Sequence, residues 1–236
     1  MSKFLFPGFA SLSEFIAGRN GDCGPDALLM CLHVRDEGHW PLTAAGLRAL
    51  LDDMAARGCL MADNGMTNIP GLDRYLTLIG VPHHTTGYGA FTLSGLHEQL
   101  KSLAGPSPKL VLVEWSAAGA GLHDDEPGVK FHFSAFGGIY MDGPASGWGY
   151  YRGDGDSRTD DRGGKPSPAI VTGWPSIAAA KPIGYIVIEP APPPAPKPDP
   201  RDAEIAALKG QVADLGGRLS ALEAGVTAAV ATAEKK

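Results

Sequence analysis

The sequence predicts an α+β fold in which N-terminal helices pack on a C-terminal antiparallel sheet. Up to about residue 105, apolar side chains recur every three or four positions, which is typical of helices that bury one face. From Lys109 onward the apolar side chains form short β-branched runs, which are typical of strands. A group of helices followed by a group of strands indicates the α+β class.

The predicted elements have recognisable starts and ends. Thr43 and Thr92 are predicted N-caps, and Gly58 and Gly80 are predicted helix stops. The predicted helices cover 27–33, 43–57, a segment that opens at 67–71 and ends before Gly80, and a segment that begins at Thr92. The predicted strands cover 110–115, 130–140, 149–152 and 183–188.

The composition changes abruptly after Glu189. Seven prolines fall within the eleven residues from Pro190 to Pro200, which predicts a polyproline II spacer. We therefore expect a domain over 1–189, a Pro-rich linker over 190–200 and a coiled-coil stalk over 201–236.

The stalk prediction depends on a heptad repeat. The a positions are Ile205, Val212, Leu219 and Val226, and the d positions are Leu208, Leu215, Leu222 and Ala229. This pattern predicts a homo-oligomer, either a dimer or a trimer. The alternative is a single amphipathic helix that docks on another protein.

Charge and cysteine content limit the partners. The net charge is −6 and no cluster of Lys and Arg is present, so nucleic acid is not an expected partner. The three cysteines cannot all pair and match no zinc pattern, which favours free thiols in a reducing compartment. No run approaches the roughly 18 apolar residues of a membrane span, and no signal peptide is recognisable, so we expect synthesis in the cytoplasm.

Cys23 is the candidate nucleophile. It follows the turn-forming residues Asn20-Gly21-Asp22 and precedes the first predicted helix. At a helix N-terminus, unpaired amides and the helix dipole favour the thiolate over the thiol. The alternative is a small buried residue at the start of a helix.

His132 is the candidate base among seven histidines. It lies at the start of a predicted strand, in the part of the sheet expected to pack against the Cys23 helix. An imidazole there would hold the thiolate and later protonate a leaving amine. The alternative is a core histidine. His83 and His84 have the chemistry of metal ligands, but no third ligand accompanies them, so no metal site is expected.

A third group would orient the imidazole through its other nitrogen. The candidates are Asp142, Asp154 and Asp156. Asp154 is preferred because it ends the predicted strand that follows the His132 strand. If the two strands pair as antiparallel neighbours, the end of the second lies beside the start of the first, where His132 is.

The order of these segments resembles the papain-like cysteine peptidases, nearest to the bacteriocin-leader (double-glycine) peptidase-like group. The resemblance covers roughly residues 15–190 and is carried by Asp-Cys-Gly-Pro at 22–25, Met66–Leu72, His132-Phe133 and a later strand ending in Gly-Asp. It implies a papain-like fold, with Cys23 as nucleophile, His132 as base and Asp154 as the orienting residue.

The sequence departs from that family at the oxyanion site. The family usually has a Gln six residues before the cysteine, whereas this chain has Ala17. Asn20 is the alternative donor, at a spacing similar to that in ovarian-tumour-type deubiquitinases. The Cys23 backbone N–H is a further donor.

The expected function is that of a cysteine hydrolase that needs no cofactor. It would cleave a peptide or isopeptide amide through an acyl-enzyme, displayed on the oligomeric stalk. A multivalent hydrolase without a signal peptide suggests a phage virion or tail component that acts on the peptides of peptidoglycan, beside other virion proteins. The alternative is a structural or adaptor virion protein that keeps the peptidase fold with little or no turnover. A deubiquitinase-like activity rests on Asn20 alone.

Overall fold

The computed structural model describes residues 4–12, 23–61, 67–116, 131–143, 147–154, 166–189 and 200–233. The chain divides into two compact units, Met1–Ala191 and Pro192–Lys236. The first unit is a mixture of helices and antiparallel sheet, which confirms the predicted α+β class.

The sheet is built from seven strands within the described residues. The strands are β1 (Phe4–Leu5), β2 (His83–Thr86), β3 (Leu110–Ser116), β4 (Phe131–Gly143), β5 (Gly147–Asp154), β6 (Ile170–Gly173) and β7 (Pro182–Ile188). Their order is β2-β7-β3-β4-β5-β6, and β1 pairs with β4. Every one of these pairs is antiparallel.

The helices are α1 (Cys23–Arg35), α2 (Ala44–Ala56), α3 (Ile69–Leu78), α4 (Leu93–Lys101), α5 (Trp174–Ala179) and α6 (Pro200–Ala233). Both predicted threonine caps are confirmed. Thr43 accepts a hydrogen bond of 3.1 Å from the Gly46 amide, and Thr92 accepts one of 3.1 Å from the Gly95 amide. Asn68 caps α3 in the same way, at 2.9 Å from the Gly71 amide. Such caps satisfy amides that have no partner within the helix.

The prediction that the helices of the first unit precede its strands is wrong in three places, since β1 precedes α1, β2 lies between α3 and α4, and α5 lies between β6 and β7. Strand β2 lies between α3 and α4 and pairs with β7, at one edge of the sheet. Its sequence, His-His-Thr-Thr, has no apolar alternation, and its residues have intermediate burial except for His84, which is exposed. Pairing with β7 rather than local pattern places this segment in the sheet.

Helices cover both faces of the sheet. A β-carbon on Gly153 of β5 would lie 2.5 Å from the sulfur of Met30 in α1. Tyr150 of the same strand has its ring 6.5 Å from that of His97 in α4. Successive residues of a strand point to alternate faces, so Tyr150 and Gly153, three positions apart, point to opposite faces. The helices α1 and α4 therefore lie on opposite sides of β5.

In the described part of the second unit, residues 200–233, the chain forms the helix α6. The side chains of the predicted seam from Ile205 to Val226 are 47% to 69% exposed in the single chain. The helical conformation agrees with the heptad pattern, and self-association stays a prediction. The predicted linker falls on 190–199, which lie outside the described residues, and on Pro200, where α6 begins. Among the described helices, none is long and apolar enough to cross a membrane.

Candidate active site

Cys23 is the first residue of α1 and is 6% exposed. Among the described residues α1 begins at Cys23, so the thiol lies in the first described turn of the helix, and amides of a first turn lack helical partners. This position favours a negatively charged sulfur.

The thiol lines a pocket of about 520 Å³ on the α1 side of the sheet. The walls are contributed by the start of α1, the segment before α3, the segment between β2 and α4, and the adjoining ends of β3, β4 and β7. The lining residues are Cys23, Met61, Thr67, Asn68, Tyr88, Phe91, Glu114, Phe131, Phe133, Pro182 and Ile183. Most of this surface is apolar and aromatic, as is common for sites that bind small molecules or side chains.

Close packing fixes the start of α1 against this pocket. A β-carbon on Gly24 would lie 2.5 Å from Cγ2 of Thr67 and 3.3 Å from the ring of Phe133. Thr67 is held in place by a hydrogen bond of 3.1 Å from its hydroxyl to the carbonyl oxygen of Cys59. Glycine after the cysteine is therefore required by the approach of β4 and of the segment that leads into α3.

Glu114 is a buried acid on the wall of the same pocket. It is 1% exposed, and its Oε2 accepts a hydrogen bond of 2.8 Å from the hydroxyl of Tyr88. Burial raises the pKa of Glu114 from its ordinary value of 4.5 to about 7, although the Tyr88 hydroxyl and the Ile69 amide favour the carboxylate. Sequence analysis missed this residue. Its signal was a single acid within an otherwise apolar strand.

His132 lies beside the pocket at the start of β4 and is 2% exposed. Its neighbours Phe131 and Phe133 line the pocket together with Cys23, so the starts of α1 and β4 are adjacent, as predicted. Strand alternation directs the imidazole to the side opposite the two phenylalanines. His132 is therefore not among the described residues that line the pocket.

The candidate aspartates occupy different positions. Asp154 lies directly opposite Ser134 in the β4–β5 register, two residues from His132 along β4. Asp142 lies opposite Trp148 near the far end of β4, roughly 30 Å from His132 at about 3.3 Å per residue. That separation excludes Asp142 as the orienting group. Asp156, Asn20 and Ala17 lie outside the described residues.

All three cysteines are buried, and Cys31 and Cys59 differ from Cys23 in that they do not line the pocket. Cys31 is completely buried, and burial raises its pKa far above the ordinary value of a thiol. Cys59 is also buried, and desolvation is the largest cause that raises its pKa. Neither thiol lines the pocket, so both are expected to be inert.

The two histidines weighed as metal ligands lie in β2. Both ring nitrogens of His83 have protein partners, since Nδ1 is 2.7 Å from the Val81 carbonyl oxygen and Nε2 is 3.1 Å from Oδ1 of Asp73. In the part of the chain that the structure describes, no group of three or more His, Cys, Asp or Glu side chains is arranged to hold a metal ion.

Comparison with protein-family models and with curated proteins finds no match to this chain. The pocket itself offers a thiol at a helix start, a buried titratable carboxyl and an aromatic wall. A thiol with a titratable group nearby is a combination that nucleophilic catalysis uses.

Proposed function

We propose that the first unit is a papain-like cysteine hydrolase that cleaves a peptide or isopeptide amide. The observation that carries the proposal is the position of Cys23, at the first residue of α1 and on the wall of the 520 Å³ pocket. A thiol at a helix start is activated by the local field, and an adjacent pocket provides room for the substrate.

The proposed reaction has two steps. The Cys23 thiolate attacks the carbonyl carbon of the amide, a C–S bond forms, and the C–N bond breaks as the leaving amine takes a proton from the base. Water then adds to the thioester, giving the carboxylic acid and restoring the thiol. The Cys23 amide and Asn20 are the proposed donors to the oxyanion formed in each step.

His132 is the proposed base, and Asp154 is the proposed orienting residue. The resemblance to papain-like peptidases supports both roles. The register of Asp154 near His132 also supports their pairing, whereas the direction of the His132 imidazole, away from the pocket-lining Phe131 and Phe133, counts against it as the base. Glu114 is the competing base, because it shares the pocket with the thiol and has a pKa of about 7.

Selective alkylation tests the nucleophile. We expect brief treatment of the full chain with iodoacetamide at pH 6 and pH 8 to label Cys23 well before Cys31 and Cys59, which serve as internal controls. His132→Ala is expected to abolish the preference, whereas Glu114→Gln leaves it. If Glu114→Gln abolishes the preferential labelling of Cys23 and His132→Ala leaves it, Glu114 is the base. Equally slow labelling of all three thiols would sink the hydrolase proposal and favour the structural or adaptor alternative.

The second unit extends the proposal to a stalked assembly. The exposed seam of α6 supports association into a dimer or trimer. A helix with an apolar face gains most of its stability when that face packs against another helix. Location in a phage virion or tail, with peptidoglycan peptides as the substrate, stays a prediction from the sequence.

A further inference from the structure

Glu114 places a potential negative charge inside a pocket whose described lining is mostly apolar and otherwise includes the uncharged polar residues Thr67, Asn68 and Tyr88. The acid has two described hydrogen-bonding neighbours, the Tyr88 hydroxyl at 2.8 Å and the Ile69 amide at the start of α3. Among the described residues that line the pocket there is no Lys, Arg or His. The carboxylate therefore has no cationic partner within this lining.

The rest of the lining suits a long aliphatic stem. Phe131 is 47% exposed and Phe133 is buried, so the aromatic wall has one ring at the surface and one inside. Phe91, Met61 and Ile183 add further apolar surface. An occupant that matches both features has an apolar stem and a positively charged end, since a buried carboxylate is costly without an opposite charge.

We infer that the pocket binds an ammonium-terminated side chain of the substrate, such as that of lysine, with Glu114 as its counter-ion. The description of the occupant as substrate rests on the proposed function. The inferred ion pair between Glu114 and an ammonium group is independent of that function.

The existing contacts of Glu114 favour an ammonium over a guanidinium. Oε2 already accepts the Tyr88 hydroxyl, and the Ile69 amide also favours the carboxylate. A guanidinium prefers two parallel hydrogen bonds to both carboxylate oxygens, whereas an ammonium is a compact charge that needs one. The aromatic rings of the wall provide additional attraction for a cation.

The pKa of Glu114 makes this recognition dependent on pH. In the empty pocket the carboxyl is largely protonated below about pH 7. An ammonium binds the ionised form, so its affinity rises as the pH increases from 5.5 to 8. The other titratable residues among the described lining are Cys23 and Tyr88, and burial keeps Tyr88 neutral throughout that range.

The test measures binding to the full chain carrying Cys23→Ala, so that thiol chemistry and thiol titration are absent. The probes are the N-acetyl methylamides of lysine, norleucine and arginine, titrated by ligand-observed NMR. At pH 8 we expect the lysine probe to bind about 10- to 100-fold more tightly than the norleucine probe. This ratio corresponds to the free energy of a hydrogen bond to a charged group. Arginine is expected to bind more weakly than lysine.

Two variants and a second pH decide the result. Glu114→Gln is expected to remove the preference for lysine, and the matched change Glu98→Gln, at an exposed acid on α4, is expected to retain it. In the protein with Glu114 intact the preference falls at pH 5.5, which tests the same ion pair if Glu114→Gln fails to fold.

Equal binding of lysine and norleucine at pH 8 overturns the inference, as does a lysine preference that survives Glu114→Gln. Tighter binding of arginine overturns the choice of an ammonium. Because the protein used here lacks the thiol, these results are independent of whether Cys23 is alkylated selectively, so the pocket and the hydrolase proposal fail separately.

Discussion

The hydroxyl of Tyr88 donates a hydrogen bond of 2.8 Å to the carboxylate of Glu114, which is buried at the end of β3. Burial and this hydrogen bond act in opposite directions on the pKa of Glu114, and burial dominates. We therefore expect this pair to affect how the stability of the protein, and the proposed binding of a cationic side chain, respond to pH.

Glu114 is expected to make the protein less stable as the pH rises. The folded-state pKa of about 7 lies above the ordinary value of 4.5, so between these values unfolding releases a proton. Stability is full below about pH 4.5 and falls by on the order of 3 kcal/mol by pH 7, at about 1.36 kcal/mol per pKa unit. Urea unfolding of Cys23→Ala with and without Glu114→Gln, from pH 4.5 to 8, measures this difference. Parallel curves would contradict it.

Tyr88→Phe is expected to raise the pKa of Glu114 further, because it removes a donor that favours the carboxylate. The stability lost should be greater at pH 8, about 1.5–3 kcal/mol, than at pH 5, about 1 kcal/mol, since hydrogen bonds to charged groups are stronger. Denaturant unfolding at the two pH values gives both numbers. Tyr151→Phe is the matched control, because that ring packs against Tyr140 and does not line the pocket. Equal losses at both pH values would rule out the charged hydrogen bond.

Gly24→Ala is expected to destabilise the first unit by about 1–3 kcal/mol, as for other overpacked sites. The added β-carbon would lie 2.5 Å from Thr67, whose hydroxyl is bonded to the Cys59 carbonyl oxygen. Gly87→Ala provides the control, since a β-carbon there meets nothing within 4 Å. The midpoints of urea unfolding distinguish the two variants. Similar midpoints would mean that Thr67 and Phe133 move aside freely.

Replacing two seam leucines of α6 is expected to reduce the proposed oligomer to monomers. Leu215→Asp with Leu222→Asp places charges at two d positions, whereas Ala207→Asp with Ala224→Asp places the same charges outside the a and d positions. Sedimentation measures the mass of four full-length proteins. These are the unaltered protein, its Cys23→Ala form and the two double variants. A monomeric unaltered protein, or an oligomer that survives both seam charges, would disprove the coiled coil.

The elements that sequence analysis found are those whose signals are local. Thr43 and Thr92 cap helices because their hydroxyls bond amides three residues away, and such pairs are visible in the sequence. Strand β2 was missed because its only reason to be a strand is its pairing with β7, about a hundred residues later. Short elements such as β6 and α5 are held in the same way by tertiary contacts.

The candidate site was predicted in part for the same reason. The helix start at Cys23 follows from a turn and an apolar stripe, both of which are local. The role of Glu114 depends on Tyr88, a residue from a different segment, and on the removal of water from both. Burial of an acid inside a strand becomes meaningful only when the residues around it are known.

The position of β7 has a consequence for folding during synthesis. This strand is the last of the sheet in sequence, yet it lies between β2 and β3, which are made earlier. Until Ile188 has left the ribosome, β2 has no partner in the sheet and β3 presents an open edge along its length. Chains that stop before β7 are therefore expected to aggregate, and the time taken to synthesise the segment between Ser116 and Pro182 sets how long that risk persists.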